Sequence, residues 1–273
     1  MHNKMTRQNN YKQNCAYFEM DKRGQITIFI IIAIAIVGLI AFLFLIPGGP
    51  KLFQKGELIP TDYLSECVED DLREAVELLA KNGGYREMDG SVSYLGDEIK
   101  YLCYSSEYFQ PCSVQQPFIK NKFENELEEL LRPKAEECAK SLIQEFGRRG
   151  YSISSQKTPS VNVSTIPSKI RVEFFTPMTI TKEGSSQIIE KYDAELDSEM
   201  YNLLFIASSI IDFEATFGDS ETTNYMAYYP DLKIEKTKLS DESTIYILTN
   251  VVTEEEFRFA SRSYAWAPGY GID

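Results

Sequence analysis

The chain has 273 residues, 43% of them hydrophobic and 25% charged, with a net charge of −13. That length supports one large domain or two small ones, each able to bury a core. The acidity and the lack of a basic stripe exclude nucleic acid as a partner, because phosphate binding demands clustered Lys and Arg.

Charge is uneven along the chain. Lys4, Arg7, Lys12, Lys22 and Arg23 outweigh Glu19 and Asp21, so residues 1–46 carry +3 and the remainder −16. From Ile26 to Ile46 no side chain is charged, and a helix of that length, at about 1.5 Å per residue, spans the roughly 30 Å hydrocarbon layer. The sequence therefore predicts a transmembrane helix over 26–46, preceded by a cytoplasmic tail or cleavable leader over 1–25. A linker over 47–60 follows, opened by Pro47, Gly48, Gly49 and Pro50. The basic flank puts the N-terminus in the cytoplasm and the C-terminal domain outside, with the lipid bilayer as the first implied partner. A secretory signal peptide is disfavoured, because its apolar region covers about 7–15 residues before a small-residue cleavage site.

Lys22-Arg23-Gly24-Gln25, directly ahead of this apolar run, resembles the class III signal of archaeal type IV pilin-like proteins. The resemblance implies cleavage between Gly24 and Gln25 and extends to single-pass archaeal surface proteins that share such an N-terminus. Thr27 matches the hydroxyl two places after the Gln, whereas Phe29 stands where the family carries a carboxylate that pairs with a neighbouring subunit's amine. Membrane anchoring is accordingly favoured over filament assembly. Other envelope or pilus-like proteins are the further partners implied.

Beyond the linker, Thr61 is placed as the cap of a helix to Lys81, with Leu64, Val68, Leu72, Val76 and Leu79 along one stripe and Asn82-Gly83 as its stop. Ser91–Tyr94 and Ile99–Tyr104 read as a hairpin around Gly96-Asp97-Glu98. A second helix is predicted over 121–146, divided or kinked at Pro133 and stopped by Gly147. A Ser-rich break over 151–159 separates a helix–hairpin–helix subdomain, 61–150, from a sheet-rich one, 151–273. Strands are expected at 161–163, 170–175, 178–181 and 187–192, bounded by Pro167, Pro177 and a Gly184-Ser185 turn. A third helix, capped by Asp197, carries Met200, Leu203, Leu204, Ala207, Ile210, Ile211 and Phe217 to a stop at Gly218. That density predicts a core helix; Asp212, Glu214 and the absence of Lys or Arg oppose an interfacial one. Strands are expected again at 225–229, 232–239, 244–252 and 257–264. The order gives an α+β fold with a mostly antiparallel sheet and three main helices.

Cys15 lies before the apolar run, and Cys67, Cys103, Cys112 and Cys138 after it. Four cysteines facing an oxidising exterior allow three pairings, of which Cys67–Cys138 and Cys103–Cys112 are favoured. The first joins the inward faces of two helices, and the second closes a short loop. Four thiolates also suffice for zinc, but no Cys-x-x-Cys pair occurs.

The chain's one histidine is His2, so Ser-His-Asp, Cys-His and His-ligated zinc chemistry are excluded from the outer domain. No phosphate loop or dinucleotide fingerprint appears, and no cofactor or resident metal is expected. Asp89 with Asp97 and Glu98, or Asp219 with Glu221, are calcium candidates without EF-hand spacing. The runs Glu69-Asp70-Asp71 and Glu254-Glu255-Glu256 read as solvated surface. Asn162-Val163-Ser164 is a glycosylation sequon, or simply a strand edge. Tyr264, Trp266 and Tyr270 make the C-terminal tail an aromatic contact candidate, the alternative being a tail packed on the sheet. The functional expectation is a non-enzymatic, membrane-anchored surface protein with a structural or adhesive role. A pilin-like filament subunit and an anchored carbohydrate- or ligand-binding or hydrolysing domain are the alternatives, the last requiring two converging carboxylates.

Overall fold

The computed structural model describes residues 30–34, 36, 59–107, 110–155 and 158–263. The chain divides into two units, 1–57 and 58–273. In the first, residues 30–34 and 36 are helical and exposed. The fold expectation needs correcting here. Most of the predicted 26–46 helix lies outside the described residues, and among those described no helix is long and apolar enough to cross a membrane.

In the second unit, helix α1 is Pro60–Lys81. It begins with Pro60, whose fixed φ suits the first helical position and whose missing N–H would have had no partner there. Thr61, expected as the cap, lies inside the first turn. Leu64, Val68, Leu72, Val76 and Leu79 are buried, as their spacing predicts. The helix is closed by Gly84, whose N–H donates to the Leu79 carbonyl at 2.7 Å. At Gly83, φ is +68° and a Cβ would sit 3.0 Å from Cβ of Lys100 and 3.3 Å from the Arg258 carbonyl oxygen, so only glycine fits.

Strands β1 (Ser91–Tyr94) and β2 (Asp97–Tyr104) form the expected hairpin, and the two-residue strand β3 (Ser113–Val114) pairs with the end of β2. Helix α2, Ile119–Arg148, runs unbroken through Pro133 and ends past Gly147. An internal proline costs about 3 kcal/mol, but Pro133 is on the exposed face, while Leu131, Ala135, Cys138 and Leu142 on the other side are buried. The left-handed residue that stops this helix is Gly150, at φ +82°.

The Ser-rich break contains strand β4, Ser152–Ser155. Strands β5 (Ser160–Ile166), β6 (Lys169–Lys182) and β7 (Ser185–Asp197) follow. β5 and β4 lie end to end along one side of β6, and β7 pairs with its other side, all antiparallel. Pro177 does not bound a strand: it sits within β6, where the register with β7 shifts between Phe175 and Met178. A proline cannot donate to the ladder, and a bulge accommodates it.

Helix α3 is Met200–Phe217. Asp197, expected as its cap, ends β7; the first turn is capped from a distance by Glu255, whose Oε2 accepts the Glu199 N–H at 2.6 Å and whose Oε1 accepts the Ser198 hydroxyl at 2.5 Å. Gly218 closes the helix at φ +78°. Residues 225–229, expected as a strand, belong instead to a short helix α4, Thr223–Tyr228, and the turn after it. Among the described residues, strands β8 (Leu232–Lys238), β9 (Ser243–Asn250) and β10 (Glu256–Arg262) complete a sheet of order β1-β2-β10-β9-β8. β10 runs parallel to β2, so this sheet is mixed rather than wholly antiparallel. One hydrophobic cluster, containing Leu72, Phe146, Phe174, Ile210, Tyr246 and Phe257, joins both sheets to α1, α2 and α3. A small second cluster of Ile99, Ile245 and Ala260 covers the far face of the six-stranded sheet.

Candidate functional site

Helix α3 is apolar on two faces. Leu203, Leu204, Ala207, Ile210 and Ile211 are buried. Phe205, Ser209, Phe213 and Phe217, each four residues from the last, form a ridge on the outer side. Phe217 was expected in the core, yet it is 63% exposed, and Phe205 is 61% exposed. The ridge makes one wall of a groove of about 800 Å³, a size typical of ligand sites. Tyr225, Tyr228 and Asn224 of α4, together with Tyr229, form the other wall, and Asp219, Ser220 and Glu221 line its end. The Ser209 Oγ and Tyr225 hydroxyl lie 2.8 Å apart and hold α4 against α3. The rings of Phe213 and Phe217 are 5.5 Å apart, and Tyr228 is 84% exposed.

Beneath the groove lies a buried carboxylate. Glu214 sits on the inward side of α3 with 1% exposure. Its Oε1 accepts the Tyr246 hydroxyl and the Ser220 N–H, and its Oε2 accepts the Ser261 hydroxyl at 2.8 Å. The Glu214 carbonyl accepts the Ser263 hydroxyl at 2.9 Å, and Ser263 Oγ accepts the Cys112 N–H at 3.0 Å. Burial pushes the Glu214 carboxyl above the usual carboxylate range, with the Tyr246 and Ser261 hydrogen bonds opposing it. Burial and the adjacent carboxylate push the Tyr246 phenol upward as well. With both oxygens occupied by donors, Glu214 ties α3 to β9, β10 and the Cys112 loop. It is a tie rather than a group poised to exchange a proton with a ligand.

The groove's own polar groups are partly committed. Lys236 binds Asp219 and the Ser220 carbonyl, the latter at 2.8 Å, and Glu221 accepts the Thr223 N–H at 3.0 Å. The Ser220 hydroxyl is buried and has no hydrogen-bond partner among the described residues. Among those lining the groove there is no lysine, arginine or histidine.

The structure scatters most residues singled out from sequence. Cys67 and Cys138 are joined across α1 and α2, and Cys103 and Cys112 between β2 and the start of β3; no thiolate set is left for zinc among these four. Asn162 is exposed on β5 opposite Glu173. Asp97 pairs with Arg258 and Glu98 accepts the Ser91 hydroxyl, apart from the Lys236–Asp219 pair, and no group of three or more potential metal ligands gathers among the described residues. Glu255, expected as solvated surface, is the α3 cap. Gly24, Gln25, Tyr264, Trp266 and Tyr270 lie outside the described residues. The groove was not anticipated. Its signal was the four-residue spacing of aromatics on α3 followed by the Tyr225, Tyr228 and Tyr229 cluster. No family model, curated protein or solved structure matches the chain.

Proposed function

We propose that the second unit is a contact domain exposed outside the cytoplasm and held at a membrane surface, with a structural or adhesive rather than a catalytic role. The observation that carries this reading is the aromatic groove between α3 and α4. Large apolar side chains exposed together in a concavity mark interaction sites, whereas singly scattered ones do not. Support for the location comes from two disulfides, which persist in oxidising compartments. The charge-free stretch 26–46 with its basic flank supports membrane attachment.

The test is chemical cross-linking of the full-length chain within envelopes of the cells that make it. Phe213→Ser with Tyr228→Ser is expected to lower the cross-linked fraction at least about tenfold, as for loss of two central aromatic contacts. Unchanged cross-linking would remove the groove from the reading.

A pilin-like filament subunit is the second reading, supported by Lys22-Arg23-Gly24-Gln25. It requires a mature chain that starts at Gln25, and filaments in electron micrographs. An intact Met1 in the mass spectrum of the native protein removes it.

A further inference from the structure

We infer that the groove takes a basic peptide segment of a partner protein, one that presents arginine or lysine beside apolar side chains. This deepens the contact reading above and rests on it.

Three observations converge on that chemistry. First, the walls are aromatic: Phe205, Phe213, Phe217 and Tyr228 are all exposed along the concavity. Aromatic faces carry negative potential and attract guanidinium and ammonium groups, arginine most of all, while also covering apolar stems. Second, the charge at the groove is of one sign. Asp219 and Glu221 line it, no cationic side chain does among the described residues, and the nearby Lys236 is already bound to Asp219 and the Ser220 carbonyl. Lys236 offsets Asp219, which leaves Glu221 as the net negative charge at the groove and disfavours an anionic ligand. A second copy of this chain, with its net charge of −13, is disfavoured for the same reason. Third, the end of the groove holds an unused polar atom. Ser220 is 1% exposed and lines the groove, and its hydroxyl lacks a hydrogen-bond partner among the described residues. Buried hydroxyls are nearly always satisfied, and rotation of the Ser220 side chain toward the groove would let its oxygen accept a guanidinium or peptide N–H.

The groove is also mechanically prepared. The Ser209–Tyr225 hydrogen bond fixes α4 on α3, and Glu214 ties the helix beneath to β9 and β10. A preorganised surface loses less entropy when a partner docks.

The experiment uses the purified full-length chain and fluorescence polarisation. The probe is a short labelled peptide alternating arginine and leucine, compared with the same peptide bearing glutamate for arginine. Binding of the arginine peptide is expected, weakened at least about tenfold by Phe213→Ala or Tyr228→Ala. Glu221→Gln is expected to weaken it about threefold and to flatten its salt dependence. All three side chains are at the surface, and circular dichroism with a melting curve confirms that the variants fold.

Equal binding of the glutamate peptide overturns the inference, as does the absence of arginine-peptide binding or indifference to all three substitutions. Chitotriose and phosphatidylglycerol vesicles are run alongside. If either binds in a Phe213-dependent way while the arginine peptide does not, the basic-segment inference falls and the groove remains the contact site. If cross-linking within envelopes is also unaffected by groove substitutions, the contact reading falls with it.

Discussion

Glu214 shows how one side chain links the groove to the rest of the domain. Its carboxyl is held above the ordinary glutamate range by burial, so the unfolded chain ionises before the folded one as pH rises. The contribution of Glu214 to stability is therefore fully present below the unfolded value, about 4.3, and is lost as pH climbs from there until Glu214 itself ionises. Chemical denaturation of wild type and Glu214→Gln across pH is expected to show the stability of the wild type relative to the variant declining as pH rises through this window. A gap between the two that widens in favour of the wild type at higher pH contradicts the argument. Glu214→Ala, which strips acceptors from Tyr246, Ser261 and Ser220 together, is expected to cost about 2–5 kcal/mol. At Gly83 backbone and packing agree: a positive φ and a 3.0 Å approach to Lys100 both require glycine.

Among the elements, α1 and α2 were the most legible. Their buried stripes follow the 3.6-residue period, and the Cys67–Cys138 bridge falls where those stripes meet. Its loop has a sequence separation of 71 residues, against 9 for Cys103–Cys112. Chain-entropy reasoning assigns them about 4 and about 2.5 kcal/mol. Thermal melts of Cys67→Ser/Cys138→Ser and Cys103→Ser/Cys112→Ser are expected to rank in that order. The reverse ranking would show that the Cys112 contacts with Ser261 and Ser263 outweigh loop closure. Helix α2 also guards the outer side of β5: Glu124 accepts the Thr165 N–H at 2.6 Å and Glu128 the Val163 N–H at 3.0 Å. Carboxylates four apart on a helix here match amides two apart on a strand, a blocked edge that no local pattern reveals. Local preference failed at Tyr225–Tyr229, where aromatics favour a strand. Pro230 stops extension there, and the Tyr225 contact with Ser209 holds the helical turn against α3.

For the whole molecule, the Ser-rich stretch at 151–159 looks like a boundary by composition, yet β4 within it pairs with Met178–Thr181 and a single cluster spans both sides. Calorimetry on the full chain is expected to show residues 58–263 unfolding in one transition, with calorimetric and van't Hoff enthalpies equal. Two resolved transitions for this unit would restore the division. The sequence by itself determined the α+β class, the three long helices and the β1–β2 hairpin, and it favoured the two cysteine pairs among the three possible. The elements depend on periodicity and turn chemistry between near neighbours, and the long Cys67–Cys138 link rests on both cysteines lying on inward helix faces. Only the tertiary structure decided the parallel pairing of β10 with β2, the Glu255 cap on α3, the Glu214 tie and the groove. These join residues far apart in the chain. The outer phenylalanines of α3 have the same chemistry as the inner leucines, so only packing shows which apolar face is covered and which is left open.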